Sequence, residues 1–241
     1  MSERLVLLPG WSYPAASLQL LADALKAQAG GTLQVELAEL PARKVPKDWL
    51  GELDARLPAN SWLGGWSLGG MLAAELAARR GGGCPGLITL ASNATFLTRA
   101  GWPSAMLAEQ FAAFREDVAK APALALKRFD LLVVHDADEP RVLARRLAAR
   151  PTAQQSRQAL LAGLDCLASL DMRVNLKHWH GPCLHLLGGR DALVPVGAVP
   201  ALRAEFPGAR VELLEDAGHA LPLSHAAEAA GHMLSFYKAA S

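Results

Sequence analysis

Short apolar runs alternate with Ala- and Leu-rich stretches along most of this chain, and no other sequence feature limits its possible folds so strongly. A short apolar run that ends in Gly, Pro, Ser or Asp is typical of a strand buried on both faces. Such strands, when helices separate them, predict a parallel sheet with helices packed on both sides. The runs predict about six strands, at residues 5–8, 33–40, 61–66, 86–91, 183–187 and 210–214.

Predicted helices fill most of the gaps between these strands, at residues 15–28, 70–80, 199–205 and 225–238. Residues 96–175 are different, because they are rich in Ala, Leu, Arg and Gln and contain no convincing strand. A helical stretch of this length between two sheet strands predicts an inserted helical cap. We therefore expect an α/β core formed by residues 1–95 and 176–241, with a mainly parallel sheet, and a cap at residues 96–175.

The composition is that of an ordinary globular enzyme, with 51% hydrophobic and 20% charged residues in a chain of 241. A net charge of +1 gives no overall attraction to nucleic acid or to an anionic membrane. The three cysteines lack CxxC spacing and are interpreted as buried thiols, not as disulfides or metal ligands. We find no signal-peptide pattern and no apolar run of about 18 residues. The prediction is a cytoplasmic monomer that needs no metal or cofactor.

The motif Gly65-Trp66-Ser67-Leu68-Gly69 lies between a predicted strand and a predicted helix. A serine nucleophile on a sharp strand-to-helix turn requires this pattern, because the flanking glycines remove Cβ clashes in the strained turn. The helix that follows directs backbone N–H groups and its positive dipole at the reacting carbonyl. The motif predicts Ser67 as the nucleophile of a serine hydrolase. The alternative interpretation is a structural glycine-rich turn with an ordinary serine.

A serine hydroxyl is a poor nucleophile unless a general base takes its proton. In α/β-hydrolases the chain order is Ser, then Asp or Glu, then His, each after a strand. Asp191 follows the fifth predicted strand and His219 follows the sixth, so both are expected at the same sheet edge as Ser67. We predict His219 as the base and Asp191 as the acid that orients it. His185 lies within a strand and is interpreted as a core residue.

A tetrahedral intermediate also needs two N–H donors that stabilise its oxyanion. The residue after the nucleophile supplies one donor, which is the backbone of Leu68 here. The loop after the first strand supplies the other, and Pro9-Gly10-Trp11 makes the Trp11 backbone the predicted donor. The Trp11 indole is expected to form a wall of the pocket. The alternative is that Trp11 serves only in packing.

Several of these segments together resemble the BioH family of pimeloyl-[acyl-carrier protein] methyl ester esterases. The segments are residues 5–11 (LVLLPGW), 65–70 (GWSLGG), 91–96 (ASNATF), 189–195 (GRDALVP) and 217–219 (AGH), together with Trp102-Pro103. The resemblance extends over nearly the whole chain. The elbow and the catalytic loops are shared with many α/β-hydrolases, whereas Trp66 in the elbow and the run into the cap are more particular to this family.

The resemblance implies an activity in biotin synthesis, the hydrolysis of the methyl ester of pimeloyl-[acyl-carrier protein] to the free acid and methanol. It implies no cofactor, and an acyl-carrier protein as partner. It also implies a substrate site formed by Trp11, Ser67, Leu68, Phe96, Phe129, Asp130, Leu131, Leu132, Val133 and His219. Arg128, Arg141 and Arg145 fall at the family's carrier-contacting positions, where guanidinium groups attract carboxylates and phosphate. From the residues alone, the favoured interpretation of the same arginines is the solvated face of helices.

The chain departs from the family pattern in two places that bear on the site. Pro9 stands where the family commonly has His, and Leu124 stands at one arginine position of the cap. Two other hypotheses remain beside the carrier-linked esterase. One is a general short-chain carboxylesterase or a related carbon–carbon-bond hydrolase, and the other is a catalytically silent fold that acts as a receptor or scaffold.

Overall fold

A single six-stranded sheet runs through the protein, seen in a computed structural model that describes residues 3–42, 45, 47–135, 137–149 and 156–240. Its strands are β1 (Glu3–Leu8), β2 (Leu33–Leu37), β3 (Trp62–Trp66), β4 (Leu87–Leu90), β5 (Cys183–Gly188) and β6 (Arg210–Leu214). They lie in the order β2-β1-β3-β4-β5-β6, and every neighbouring pair is parallel. The predicted sheet is confirmed. All its strands therefore present their carboxyl ends at one edge.

Helices cover the sheet and fill the long interval between β4 and β5. They are α1 (Gln19–Ala29), α2 (Lys47–Arg56), α3 (Leu68–Arg80), α4 (Ala108–Lys120), α5 (Pro122–Val133), α6 (Pro140–Ala148), α7 (Arg157–Ser169), α8 (Met172–Asn175), α9 (Ala198–Glu205), α10 (Leu221–Ser224) and α11 (Ala226–Ala240). Helix α2 was missing from the sequence prediction. Its described buried residues are Trp49 and Leu53, one turn apart, so its apolar stripe is too narrow to stand out in the sequence. None of the described helices is long and apolar enough to cross a membrane.

The described residues between β4 and β5 form helices α4 to α8 and isolated bridges, without a named strand. Pro122 and Pro140 begin α5 and α6, where a missing N–H costs no helical hydrogen bond. Ser156 caps α7, since its Oγ accepts a hydrogen bond of 3.3 Å from the Ala159 N–H. This helical interval is the proposed cap, and its boundaries at residues 96 and 175 stay a proposal.

The core contains a few polar side chains besides those of the candidate site. His185 is fully buried in β5, and its Nδ1 lies 2.7 Å from the Thr89 Oγ1. Burial lowers the pKa of His185 to about 4, so the ring is neutral at pH 7 and serves as core. The cysteines are buried free thiols, as predicted. Burial raises the pKa of Cys84 to about 11 and that of Cys166 to about 12, so neither thiol ionises at neutral pH.

Candidate active site

Ser67 lies in a strained turn between β3 and α3. Its backbone angles are φ 55° and ψ −119°, a conformation that non-glycine residues rarely adopt and that costs about 1–3 kcal/mol. Two hydrogen bonds fix the turn. The Ser67 N–H donates to the Leu90 carbonyl at 2.8 Å, and the Ser92 hydroxyl donates to the Ser67 carbonyl at 2.9 Å. The strain and the supporting bonds are those expected of a nucleophile elbow.

The elbow needs glycines at positions 65 and 69 because backbone atoms of other residues lie too close to allow a side chain there. A Cβ at Gly65 would lie 2.3 Å from the Gly69 carbonyl carbon, and one at Gly69 would lie 2.3 Å from the Leu8 carbonyl oxygen. Real Cβ contacts essentially never fall below 3.0 Å, and here the obstructing atoms are backbone. The elbow therefore packs directly against the end of β1, whose following loop carries Trp11.

Asp191 and His219 meet at the carboxyl ends of β5 and β6. The His219 Nδ1 lies 2.8 Å from one Asp191 carboxylate oxygen and 3.0 Å from the other, with both side chains only 1% exposed. The Asp191 Oδ1 also accepts the Leu193 and Val194 N–H groups, at 2.8 and 2.9 Å. These bonds orient the carboxylate towards the imidazole. Because Nδ1 faces the acid, Nε2 is the nitrogen that can take up a proton.

The tryptophan that precedes Ser67 links the elbow to the histidine. The Trp66 indole N–H donates to the His219 backbone carbonyl at 2.8 Å, and the two rings lie 5.8 Å apart. Trp66 is fully buried. The side chains predicted as nucleophile, acid and base therefore belong to loops that contact one another at one edge of the sheet.

The predicted oxyanion donors lie on the same side. The Tyr13 N–H donates to the Gly10 carbonyl at 3.2 Å and turns the loop after β1, with Ser12 at φ 67°. In the described part of the chain, neither the Trp11 nor the Leu68 backbone N–H has an acceptor, so both are available to an oxyanion. The Trp11 indole N–H donates to the Leu160 carbonyl of α7 at 2.9 Å.

A mainly apolar cavity of about 330 Å³ extends from Trp11 into the proposed cap. Its lining consists of Trp11, Phe96, Met106, Gln110, Phe114, Arg128, Phe129, Leu132, Leu164, Leu167, Ala192 and Leu193. Ala192 and Leu193 follow Asp191 directly, so the cavity adjoins the acid's loop. The lining residues from α4 and α7 were not predicted from the sequence. Helical spacing could have indicated those of α4, since Gln110 and Phe114 are four residues apart and share a helix face.

The structure divides the predicted substrate residues of α5 between different environments. Phe129 and Leu132 line the cavity, whereas Asp130, Leu131 and Val133 are not among the described lining residues. Leu131 is 60% exposed, Val133 is buried, and the Asp130 carboxylate accepts a hydrogen bond from another part of the site. Consecutive residues of an α-helix point about 100° apart, so one helix cannot direct five in a row at one cavity.

The three predicted carrier contacts lie on the outside of the proposed cap. The Arg128 side chain is 64% exposed, and its Nη1 lies 3.4 Å from the Asp117 carboxylate. Arg141 and Arg145 are exposed, one turn apart on α6. An exposed ion pair such as that of Arg128 contributes little to stability and can be exchanged for another partner. The positions are compatible with carrier contact, which stays a prediction.

The Asp191→Asn variant tests how the imidazole is oriented. The oxygen of the introduced amide would keep the Leu193 and Val194 N–H bonds, which turns the NH₂ group towards the His219 Nδ1. The imidazole would then carry its proton on Nε2 and would be unable to accept one from Ser67. We expect kcat for p-nitrophenyl acetate to fall by about 10⁴-fold with little change in KM. A kcat within tenfold of the unmodified enzyme, measured at matched Tm, would contradict the role of Asp191.

Comparison with known sequences points to one family. A family model described as "Alpha/beta hydrolase family" matches residues 5–231. The chain is similar to a pimeloyl-[acyl-carrier protein] methyl ester esterase of Aeromonas hydrophila, at 35% identity over 92% of this chain and 90% of the relative. It is also similar to the biotin biosynthesis bifunctional protein BioHC of Cellvibrio japonicus, at 32% identity over 97% of this chain. The chain spans under half of such bifunctional relatives, 47% of this one and 44% of that from Teredinibacter turnerae.

Comparison with solved structures gives the same fold. The chain is similar to the esterase EaEST from Exiguobacterium antarcticum, with a TM-score of 0.85. The match covers 98% of this chain and 92% of that chain, at 19% sequence identity. At this identity the similarity establishes the fold alone, because one fold carries many different activities.

Proposed function

Since the chain belongs to the alpha/beta hydrolase family, and within it to the BioH family, we propose that it is a serine carboxylesterase that hydrolyses the methyl ester of pimeloyl-[acyl-carrier protein]. The products are pimeloyl-[acyl-carrier protein] and methanol, and the step belongs to biotin synthesis. The observation that carries the chemistry is the buried Asp191–His219 hydrogen bond beside the Ser67 elbow. The substrate assignment is supported by the named activity of relatives similar over most of the chain.

The proposed reaction uses Ser67, His219 and two backbone N–H groups. The Ser67 Oγ attacks the ester carbonyl while the His219 Nε2 takes the hydroxyl proton. The carbonyl oxygen becomes an oxyanion, which the Trp11 and Leu68 N–H groups stabilise. His219 returns its proton to the departing methoxide, and methanol leaves. Water, activated by His219, then attacks the acyl-enzyme and releases the carboxylate product, with the proton passing back to Ser67.

The cavity and the outer arginines suit the two ends of such a substrate. The mainly apolar cavity beside Trp11 and Phe129 buries a short acyl chain without unsatisfied polar groups. Arg128 both lines this cavity and is exposed to solvent, which supports a role for its guanidinium at the outer end of a bound substrate. A carrier protein that is rich in carboxylates, with its phosphopantetheine arm, matches this chemistry. We propose it as the partner.

Rescue of biotin auxotrophy tests the proposed function directly. We expect the gene to restore growth without biotin to a strain that lacks its own esterase of this step, because the product acid is the metabolite that strain lacks. The Ser67→Ala variant, expressed at the same level, is the matched control and should not restore growth. Well-expressed, folded protein that fails to rescue would contradict the carrier-linked substrate, even if it hydrolyses p-nitrophenyl esters.

One observation favours a second candidate, a general short-chain carboxylesterase. Leu124, half-exposed on α5, stands where the family resemblance implies an arginine. The loss of this positive charge weakens attraction for an acidic carrier. This candidate predicts turnover of small free methyl esters with kcat/KM at least equal to that of the carrier-linked ester. The two substrates, assayed side by side, separate the candidates.

A further inference from the structure

Tyr13 connects three parts of the candidate site. Its backbone belongs to the loop that presents the Trp11 N–H, since the Tyr13 N–H closes the turn at Gly10. Its ring stacks on Trp66, the residue before the nucleophile, with centroids 5.0 Å apart and planes within 9°. Its hydroxyl donates to the Asp130 carboxylate of α5 at 2.9 Å, a buried bond that spans 117 positions of the chain. No step of the proposed reaction uses either the phenol or this carboxylate.

We propose that Tyr13 is a positioning residue that, through Asp130, holds the oxyanion loop at the place where its Trp11 N–H meets the developing oxyanion. Asp130 is its anchor in the helical cap, not a group that contacts substrate. The proposal rests on the serine-hydrolase part of the proposed function and is independent of the carrier protein.

The loop needs such an anchor because its own backbone is strained. Ser12 adopts φ 67°, a conformation that is strained for a non-glycine residue and persists only if surrounding contacts enforce it. A hydrogen bond from a hydroxyl to a buried carboxylate is stronger than one between two neutral groups, so it can supply such a contact. Stacking on Trp66 fixes the orientation of the Tyr13 ring. The hydrogen bond to Asp130 then fixes how far the loop lies from α5.

A second tie holds the same loop from α7. The Trp11 indole N–H donates to the Leu160 carbonyl, and the indole packs against Gly163. A Cβ at Gly163 would lie 2.6 Å from the Trp11 Cδ1 and 2.9 Å from its Nε1. The Trp11 indole therefore fits against α7 because Gly163 has no side chain. The loop is anchored to two cap helices by side chains two residues apart, which fixes the peptide group between them.

The proposal predicts a specific kinetic signature. A misplaced oxyanion donor weakens binding of the transition state and not of the substrate, so kcat falls while KM is unchanged. For Tyr13→Phe, which removes only the hydroxyl, we expect kcat for p-nitrophenyl acetate to fall about 10- to 100-fold. Affinity for a trifluoromethyl ketone, which forms a tetrahedral oxyanion with Ser67, should fall by the same factor.

Matched variants separate positioning from general destabilisation. Tyr237→Phe alters the only other tyrosine, which packs on Trp62 away from the site, and should keep the full kcat. Asp130→Asn keeps an acceptor oxygen and should lose less kcat than Asp130→Ala. The double variant Tyr13→Phe/Asp130→Ala should lose no more kcat than the worse single variant, because both substitutions break the same hydrogen bond.

Several results would overturn the proposal. One is an unchanged kcat in folded Tyr13→Phe, and another is a fall in kcat without the matching loss of trifluoromethyl ketone affinity. Additive losses in the double variant would also overturn it. Gly163→Ala reaches the same loop from α7 and should show the same kcat-only loss, so an effect confined to KM there counts against the proposal. A wild-type enzyme without esterase activity would refute both this inference and the proposed function, whereas failed biotin rescue alone leaves it intact.

Discussion

Ser67→Ala is expected to lower kcat for p-nitrophenyl acetate by about 10⁵- to 10⁶-fold while KM stays within a factor of about three. The alanine keeps the elbow backbone but supplies no oxygen that can attack the ester. The remaining turnover reflects only the oxyanion donors and the binding of substrate beside them. The measurement is steady-state hydrolysis at pH 7.5, with a fluorophosphonate probe as a second readout that should label the unmodified enzyme alone.

His219→Ala provides the internal control for this result. It should cost about as much as Ser67→Ala, and the double variant should cost no more than either, because nucleophile and base act as a unit. Thermal unfolding of Ser67→Ala should stay within a few degrees of the parent, because the change removes only one oxygen. His219→Ala removes a buried ring, so its activity is measured at a temperature at which the variant is folded. Retention of a tenth of the parent activity in either single variant would remove that residue from the proposed mechanism.

Gly69→Ala is expected to destabilise the protein by more than about 4 kcal/mol, which lowers Tm by at least about 10 °C. The added Cβ would lie 2.3 Å from the Leu8 carbonyl oxygen and 2.4 Å from that of Pro9. Both atoms are backbone at the end of β1, where the sheet holds them, so no side-chain rotation relieves the clash. Esterase activity should fall as well, because the same displacement moves the oxyanion loop.

Gly51→Ala is the matched control for that experiment. Gly51 lies in α2, and among the residues that the structure describes no neighbouring atom lies within 4 Å of an added Cβ. There the substitution should raise stability by about 0.5–1 kcal/mol, since alanine favours helix more than glycine does. Thermal and urea unfolding of the two variants beside the parent give the comparison. If Gly69→Ala unfolds at the same temperature and urea concentration as the parent, the elbow does not pack against β1 as tightly as described.

The local sequence was sufficient to predict the sheet and the order of candidate residues at its edge. Each of Ser67, Asp191 and His219 lies in a short turn or loop after a strand, so strand pattern and loop motif together indicate its place. The geometry of parallel strands then brings the loops to one edge without any knowledge of side-chain packing. The structure accordingly brings Asp191 and His219 into contact, as the order of the chain led us to expect.

What the sequence could not predict depends on packing between distant segments. The hydrogen bond between Tyr13 and Asp130 joins residues far apart in the chain, and the local sequence around either one does not indicate the other. The cavity lining is similar, because whether Leu131 or Leu132 faces inward depends on the rotation of α5 against α4 and α7. Helix α2 was missed because it buries few of its described residues and its sequence is mostly polar, so the hydrophobic periodicity was weak.

The order of the strands has a consequence for synthesis on the ribosome. Strand β6 lies at one edge of the described sheet, pairs with β5 and leads to His219. A nascent chain that ends before residue 210 therefore holds the proposed nucleophile and the proposed acid, but lacks the proposed base and the strand that leads to it. Hydrolytic activity should appear abruptly, when the last strand docks. Activity in a translation time course thus reports completion of the domain, and esterase turnover can serve as a clock for its co-translational folding.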